Sequence, residues 1–511
     1  MIFMYKIMNM RGLKMCVRVL VCACLVVLSS CYKDKTVNGT GEISVIRIDT
    51  LSIEAVYNIG QHETLVVRPR VEQTMAGKTL TYVWEVGDSV TVGETLKFEG
   101  KKLGSYQCRL VVKNEDGSAF RPFVINVNTI YEEGVAVLGV DDATGETTLA
   151  FMLTQTDKEK PCEFYDYDCY ARNNPGEEPL AMRGSDLVQC NGNLLIACAG
   201  NGAEQGGAVY YLDEKTLVVE NIVKAPEYAD FHPLRLGVPG NAYVGTSFPV
   251  VCENGRIYYF SASDGGLTPS GRYPDEYEPA CLVNSYSGGY YDLYMWDKTV
   301  GDMCAVLYSY GPYYCSKTMH CQLVEEEGKM KLSADNYFEG CTYCNMVLAE
   351  APKGSGEEPM LIVLVQKGIM LHKVMLHCGW WMADNQLMDN GGLTAVSVQP
   401  FYTIGKNCPI LATQLDGSVL FAEGNRVRKW IYNSAQRIHD AETITEVGSA
   451  EAVITGMAFA PDHLTTYVAY YEPKEGGKNG HVWQIDTQKG TVVARHDNVC
   501  KRPARIIYKK K

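Results

Sequence analysis

From residue 134 to residue 511 the chain shows almost no helical periodicity; what recurs is a short apolar strand followed by a turn signal. Two signals alternate. In one, an apolar residue precedes an Asp with a Gly four residues on: Val140-Asp141 to Gly145, Trp296-Asp297 to Gly301 and Ile485-Asp486 to Gly490, with Leu212-Asp213 a copy lacking the Gly. In the other, Asn-Gly or Asp-Gly leads into apolar residues: Asn191-Gly192, Asn254-Gly255 and Asp416-Gly417, with Lys367-Gly368 and Pro461-Asp462 as degenerate members. Such turns need positive φ, which Gly and Asn supply and which joins strands into tight hairpins. Some spacings are regular: 50 from 141 to 191, 49 from 367 to 416 and 46 from 416 to 462, against 63 from 191 to 254. A four-stranded propeller blade takes ~40–50 residues. The expected fold class is therefore all-β, with residues 131–511 a β-propeller of about seven blades carrying insertions. A large sandwich or a β-solenoid is the alternative.

Residues 42–130 alternate apolar and polar with a period of two. Ile43–Ile48, Thr64–Arg68, Leu80–Val86, Cys108–Val112 and Phe123–Val127 read as strands, with turns at Gly87-Asp88, Gly100 and Asp116-Gly117. Short strands at this spacing predict an immunoglobulin-like β-sandwich. Trp84 falls mid-strand, where such a sandwich buries a Trp. Tyr106, two residues before Cys108, has the spacing of a tyrosine corner. Cys108 has no second Cys in this stretch to pair with.

The N-terminus reads as an address. Lys6, Arg11, Lys14 and Arg18 precede ten apolar residues, Val19 to Leu28, and then Leu28-Ser29-Ser30-Cys31. That apolar run suits a signal peptide and is too short for a membrane span, which needs ~18 residues. The tetrapeptide resembles the lipobox of bacterial lipoproteins. Residues 1–30 are expected to be removed and Cys31 to carry a diacylglycerol thioether and an N-acyl chain such as palmitate. More than one chain, at ~0.8 kcal/mol per buried methylene, anchors stably. Residues 31–41 read as a polar tether.

The lipobox, the sandwich and the entry Tyr131-Glu132-Glu133-Gly134-Val135-Ala136-Val137-Leu138 resemble the PKD-like family of Bacteroidota lipoproteins. So do the late segments Ile454-Thr455-Gly456-Met457-Ala458-Phe459-Ala460-Pro461 and Gly480-His481-Val482-Trp483-Gln484-Ile485-Asp486. At the entry the family often has Gly-Trp, where this chain has Gly134-Val135. The resemblance implies an outer-membrane lipoprotein facing the cell exterior. It implies an accessory, binding role in starch-utilisation-type nutrient uptake, beside a TonB-dependent channel and its SusD-like lipoprotein lid, with a glycan or peptide as ligand.

The residues themselves carry no catalytic motif. There is no Gly-x-Ser-x-Gly elbow, zincin helix or phosphate loop; Gly200-Asn201-Gly202 runs on to strand residues with no helix behind it. The acids Asp275, Glu276 and Glu278 crowd a loop without marking a glycosidase pair. The chain is expected to be a non-enzyme without a cofactor; a propeller glycosidase or polysaccharide lyase, and a purely protein-binding scaffold, are the alternatives. The net charge of −13 excludes a nucleic-acid surface. Of 19 Cys, four (Cys16, Cys22, Cys24 and Cys31) belong to the signal and anchor, leaving 15. Cys341-Thr342-Tyr343-Cys344 is a weak zinc candidate; buried, reduced thiols are the expected state. Tyr is abundant, 33 against 13 Phe. Tyr290, Tyr291, Tyr313, Tyr314, Trp380 and Trp381 are the candidate aromatic ligand contacts, since such rings suit sugars and peptides.

Overall fold

A computed structural model describes residues 42–511 except 155–164, 191, 203–205, 238–246, 262–265, 270–276, 288–289, 299–300, 308–314, 319–321, 327–328, 334–337, 351–359, 378–379, 384–385 and 390–392. The chain divides into two compact units, Met1–Val127 and Asn128–Lys511. Among the described residues no helix is long and apolar enough to cross a membrane.

In the first unit a five-stranded antiparallel sheet runs in the order Val56–Gly60, Gly117–Asn128, Gly104–Asn114, Thr81–Val86, Ser89–Val92. Two pairs accompany it: Ile46–Ile48 with Val71–Gln73, and Thr64–Val67 with Leu96–Glu99. Alternation puts Trp84, Leu110, Val112, Phe123 and Ile125 into one shared core with Ile53, Val67 and Leu96. Trp84 stands edge-on to Phe123, 6.0 Å between centroids, and its indole N–H donates to the Gly93 carbonyl at 2.8 Å. The Tyr106 hydroxyl donates to the Lys102 carbonyl at 2.8 Å, four residues upstream, and Cys108 is a buried free thiol.

The second unit holds seven four-stranded antiparallel sheets among the described residues. Six follow one another along the chain. Their first strands are Gly184–Cys190, Pro233–Leu236, Tyr277–Ser287, Thr342–Ala349, Ile410–Ala412 and Val453–Phe459. The remaining sheet is built from both ends of the unit. Gly134–Val140, Thr147–Leu153 and Tyr165–Asp166 supply three strands, and the C-terminal Arg502–Lys509 pairs with Gly134–Val140 as its innermost strand. Each first strand packs on the first strand of the next sheet, and Val453–Phe459 packs on Arg502–Lys509, which packs on Gly184–Cys190. The order runs round and returns to its start, a propeller-like all-β arrangement. Two hairpins are inserted: Gln322–Glu326 with Lys329–Ser333, and Trp380–Ala383 with Gln386–Asp389.

The cores lie between neighbouring sheets, so middle strands are covered on both faces and read as continuous apolar runs. Met360–Lys367 (MLIVLVQK) and Gly134–Val140 (GVAVLGV) show it; every residue of the latter is buried. Leu187, Leu194 and Ile196 meet Leu138, Leu149 and Phe151 in one such layer. Each fully buried aliphatic side chain there contributes ~1.5–3 kcal/mol. Among the described residues one α-helix interrupts the strands, Cys169–Asn173, capped where the Asp168 carboxylate accepts the Ala171 N–H at 3.2 Å. It buries Cys169 and Tyr170 in that same layer.

Candidate functional site

A cavity of about 500 Å³ opens among the first strands of the second unit. Its wall is made by a repeated irregularity. Five innermost strands each carry one extra residue relative to their neighbour: Ser185, Leu234, Cys344, Thr455 and Ala504. Such a bulge twists the strand locally and re-aims the side chain beside it. The residues just after these bulges are Asp186, Arg235, Asn345, Gly456 and Arg505, and all five line the cavity.

Polar side chains at four of these bulges bridge neighbouring sheets. Asp186, 1% exposed, accepts the Leu236 backbone N–H on Oδ2 at 2.9 Å. Its Oδ1 faces the Arg505 Nε at 3.0 Å, close enough for an ion pair but out of line for a hydrogen bond. Arg235 donates from Nη1 to the Ser185 carbonyl at 2.8 Å and to the Leu234 carbonyl at 3.0 Å. The Ser185 hydroxyl reaches the Pro233 carbonyl at 2.6 Å. Asn345 donates from Nδ2 to the Cys408 carbonyl at 2.9 Å. A buried carboxylate is costly unless paired, and here it is both paired and bonded.

Glu350, His463 and Lys510 also line the cavity. The Gln414 amide donates to Glu350, and the Gln414 backbone N–H to the His463 Nδ1 at 3.3 Å. His463 stacks on Phe459 at 4.6 Å, and burial holds its pKa below the usual imidazole range. With Nδ1 accepting, its proton sits on Nε2 and the ring is neutral. The backbone of Lys510 exchanges two hydrogen bonds with the Gln189 side chain, at 2.7 and 2.8 Å.

Of the residues singled out in the sequence, Cys341 and Cys344 are described with their side chains, and neither lines the cavity. Cys344 is buried as the bulge residue of Thr342–Ala349, and its thiol pKa is raised by burial. Cys341, half-buried, precedes that strand. Among the described residues no group of three or more His, Cys, Asp or Glu is placed to hold a metal. Tyr290 and Tyr291 begin the strand Tyr290–Asp297, and Trp380 and Trp381 begin the inserted Trp380–Ala383. The side chains of these four lie outside the described residues, as do Tyr313, Tyr314 and Cys31 entire. Asp186, Arg235 and Arg505 were not foreseen. Their signal is a charged residue entering an apolar run, Asp186-Leu187-Val188, Arg235-Leu236 and Arg505-Ile506-Ile507, with 49 positions from Asp186 to Arg235 and 49 from Gly456 to Arg505.

No protein-family model matches the chain, and no curated protein matches it. Solved structures are similar in fold at low identity. A quinonprotein alcohol dehydrogenase-like protein from Bacteroides thetaiotaomicron is 14% identical, with a TM-score of 0.49 over 91% of this chain and 99% of its own. A protein from Bacteroides fragilis, provisionally a 6-phosphogluconolactonase, is 11% identical, with a TM-score of 0.41 over 74% of this chain and 98% of its own. A DUF4784 family protein from Bacteroides caccae is 9% identical, with a TM-score of 0.30 over 91% of this chain and 98% of its own.

Proposed function

We propose that the chain is a non-catalytic binding lipoprotein of the outer membrane, and that residues 128–511, as a seven-bladed β-propeller, are its binding part. In this reading Cys31 carries the anchor, the first unit is a PKD-type immunoglobulin sandwich serving as spacer, and the protein works beside a TonB-dependent channel and its SusD-like lid. One observation carries the binding role: the cavity of about 500 Å³ lined by the residue after a bulge on each of five strands, four of these residues being polar. Convergent polar groups around a concave space of this size are what a small-ligand site needs.

Filling the cavity tests it. Ala504, half-buried on the wall, is replaced by Trp in the full-length chain. Native protein is expected to retain a component of glycan or peptide extracts that Ala504→Trp does not. Equal retention by both places binding outside the cavity. The anchor is tested separately: Cys31→Ala should abolish palmitate labelling and membrane association, and unchanged fractionation refutes lipidation.

A further inference from the structure

The charges on the cavity wall are unequal. Both carboxylates are already engaged, Asp186 by the Leu236 N–H and Arg505, and Glu350 by the Gln414 amide. Three cations line the same space: Arg235, Arg505 and Lys510. Arg505 meets Asp186 through Nε, on one edge of its guanidinium, and the side chain is 44% exposed. The Nη edge is the half of the fork suited to a second planar acceptor. Lys510 is exposed, held at the wall by its backbone bonds to Gln189, and its ammonium makes no ion pair among the described residues. His463 adds no charge in its neutral form but offers Nε2–H. These cations sit in a chain whose net charge is −13.

We propose that the cavity binds a small organic anion of sugar size, bearing one carboxylate or phosphate group, with Arg505 and Arg235 on the anionic group and Lys510 at the rim. The assignment rests on the binding reading above and narrows it to a ligand class. The volume falls in the ~300–1,000 Å³ range of small-molecule pockets, which admits a sugar acid, a sugar phosphate or the charged end of a chain.

The full-length protein in detergent is titrated calorimetrically with D-glucuronate, D-glucose 6-phosphate and D-glucose, at about 0.03 M and about 0.3 M salt, where screening differs. At least one anion is expected to bind one-to-one, more weakly at the higher salt, and D-glucose at least about tenfold more weakly still. The tighter of the two anions identifies the group. Arg505→Gln and Arg235→Gln should each lower that affinity about tenfold or more, and the rim change Lys510→Gln by roughly two- to fivefold. Arg505→Lys, which keeps charge but loses the fork, should retain part of it. Lys510 is exposed, so its variant decides the matter if an arginine variant does not fold. Equal binding of D-glucose and D-glucuronate, or affinity unmoved in both Arg505→Gln and Lys510→Gln, overturns the anion and leaves the binding function standing. Silence from all three probes also overturns the anion, and the extracts with Ala504→Trp then judge the binding function alone.

Discussion

Arg505, on the last strand of the chain, sets its Nε 3.0 Å from the carboxylate of Asp186, on the first strand of the neighbouring sheet. The acid's side chain is 2% exposed and the arginine's 44%, so the acid depends on this partner and on the Leu236 N–H for its charge. Asp186→Ala removes the acceptor of a buried N–H and the counter-charge together. A loss of about 1–3 kcal/mol is expected, the usual result of leaving a buried donor unmet. Asp186→Asn keeps an oxygen for the N–H and should cost less. Urea denaturation of both variants reads the difference, and a native-like midpoint for Asp186→Ala would refute the bridge.

Gly490 closes the Asp486 turn at φ +67, and a Cβ there would stand 2.1 Å from the Ile444 carbonyl oxygen of the preceding sheet. Gly490→Ala meets both obstacles. The left-handed backbone alone costs about 1–2 kcal/mol, and the contact with a carbonyl that must move adds to it. A lowered melting temperature is the expected outcome. Gly424→Ala is the control, at φ +62 with nothing within 4 Å of its Cβ; the idea fails if the two variants melt together.

Histidine burial sets a direction for pH. Burial lowers the pKa of His496, of His463 and of His372 below the imidazole value. The unfolded chain therefore takes up protons before the folded chain does. Stability from these groups is complete above the unfolded pKa of ~6.5 and is lost as pH falls below it. The melting temperature should drop between pH 7 and pH 5, and His496→Gln should flatten that slope. The lowered carboxylates of Asp230 and Asp416 act at more acidic pH, because their stabilisation is lost only as pH falls through their folded values. A slope unchanged in His496→Gln would remove that histidine from the account.

Burial also silences the thiols. It pushes Cys198, Cys252 and Cys500 up to about 12, and Cys108 and Cys190 up to about 11. At pH 8 these five are protonated, all but the half-buried Cys190 are also covered, and the thiolate is the nucleophile. Iodoacetamide on the native chain should leave them unmodified, with the half-buried Cys341 reacting earlier, while urea exposes all. Peptide mass spectrometry follows each site; rapid native labelling of Cys198 or Cys500 would contradict their burial.

Much of the strand count was legible because positive-φ turns need Gly or Asn. Gly145, Gly192, Gly255, Gly301, Gly368, Gly417 and Gly490 all adopt positive φ. The spacing was harder to read, because the turns occupy different places in their sheets. Gly192 joins first to second strand, Gly255 second to third, and this offset produces the 63-residue gap. Asp416 and Asp462 both lie between first and second strands, and their spacing of 46 is a true repeat. The cavity was not legible. A bulge is one residue of misregister between strands, and the alternation around Asp186 or Arg235 looks like any polar residue beside apolar ones. The same strands covered on both faces erase the period-two pattern that would mark an inward side chain. Tyr-rich segments drew attention by composition, which says nothing about the face a ring occupies.

The pairing of Arg502–Lys509 with Gly134–Val140 has a consequence for how the chain is made. Arg502–Lys509 is synthesised more than 360 residues behind its partner strand. Until then Gly134–Val140, apolar throughout, has one unpaired edge, and the wall around Asp186 lacks Arg505. Contacts this distant along the chain slow folding and prolong the exposure of such edges. The first unit pairs its strands within residues 46–128, so it can be finished before Arg502–Lys509 is made.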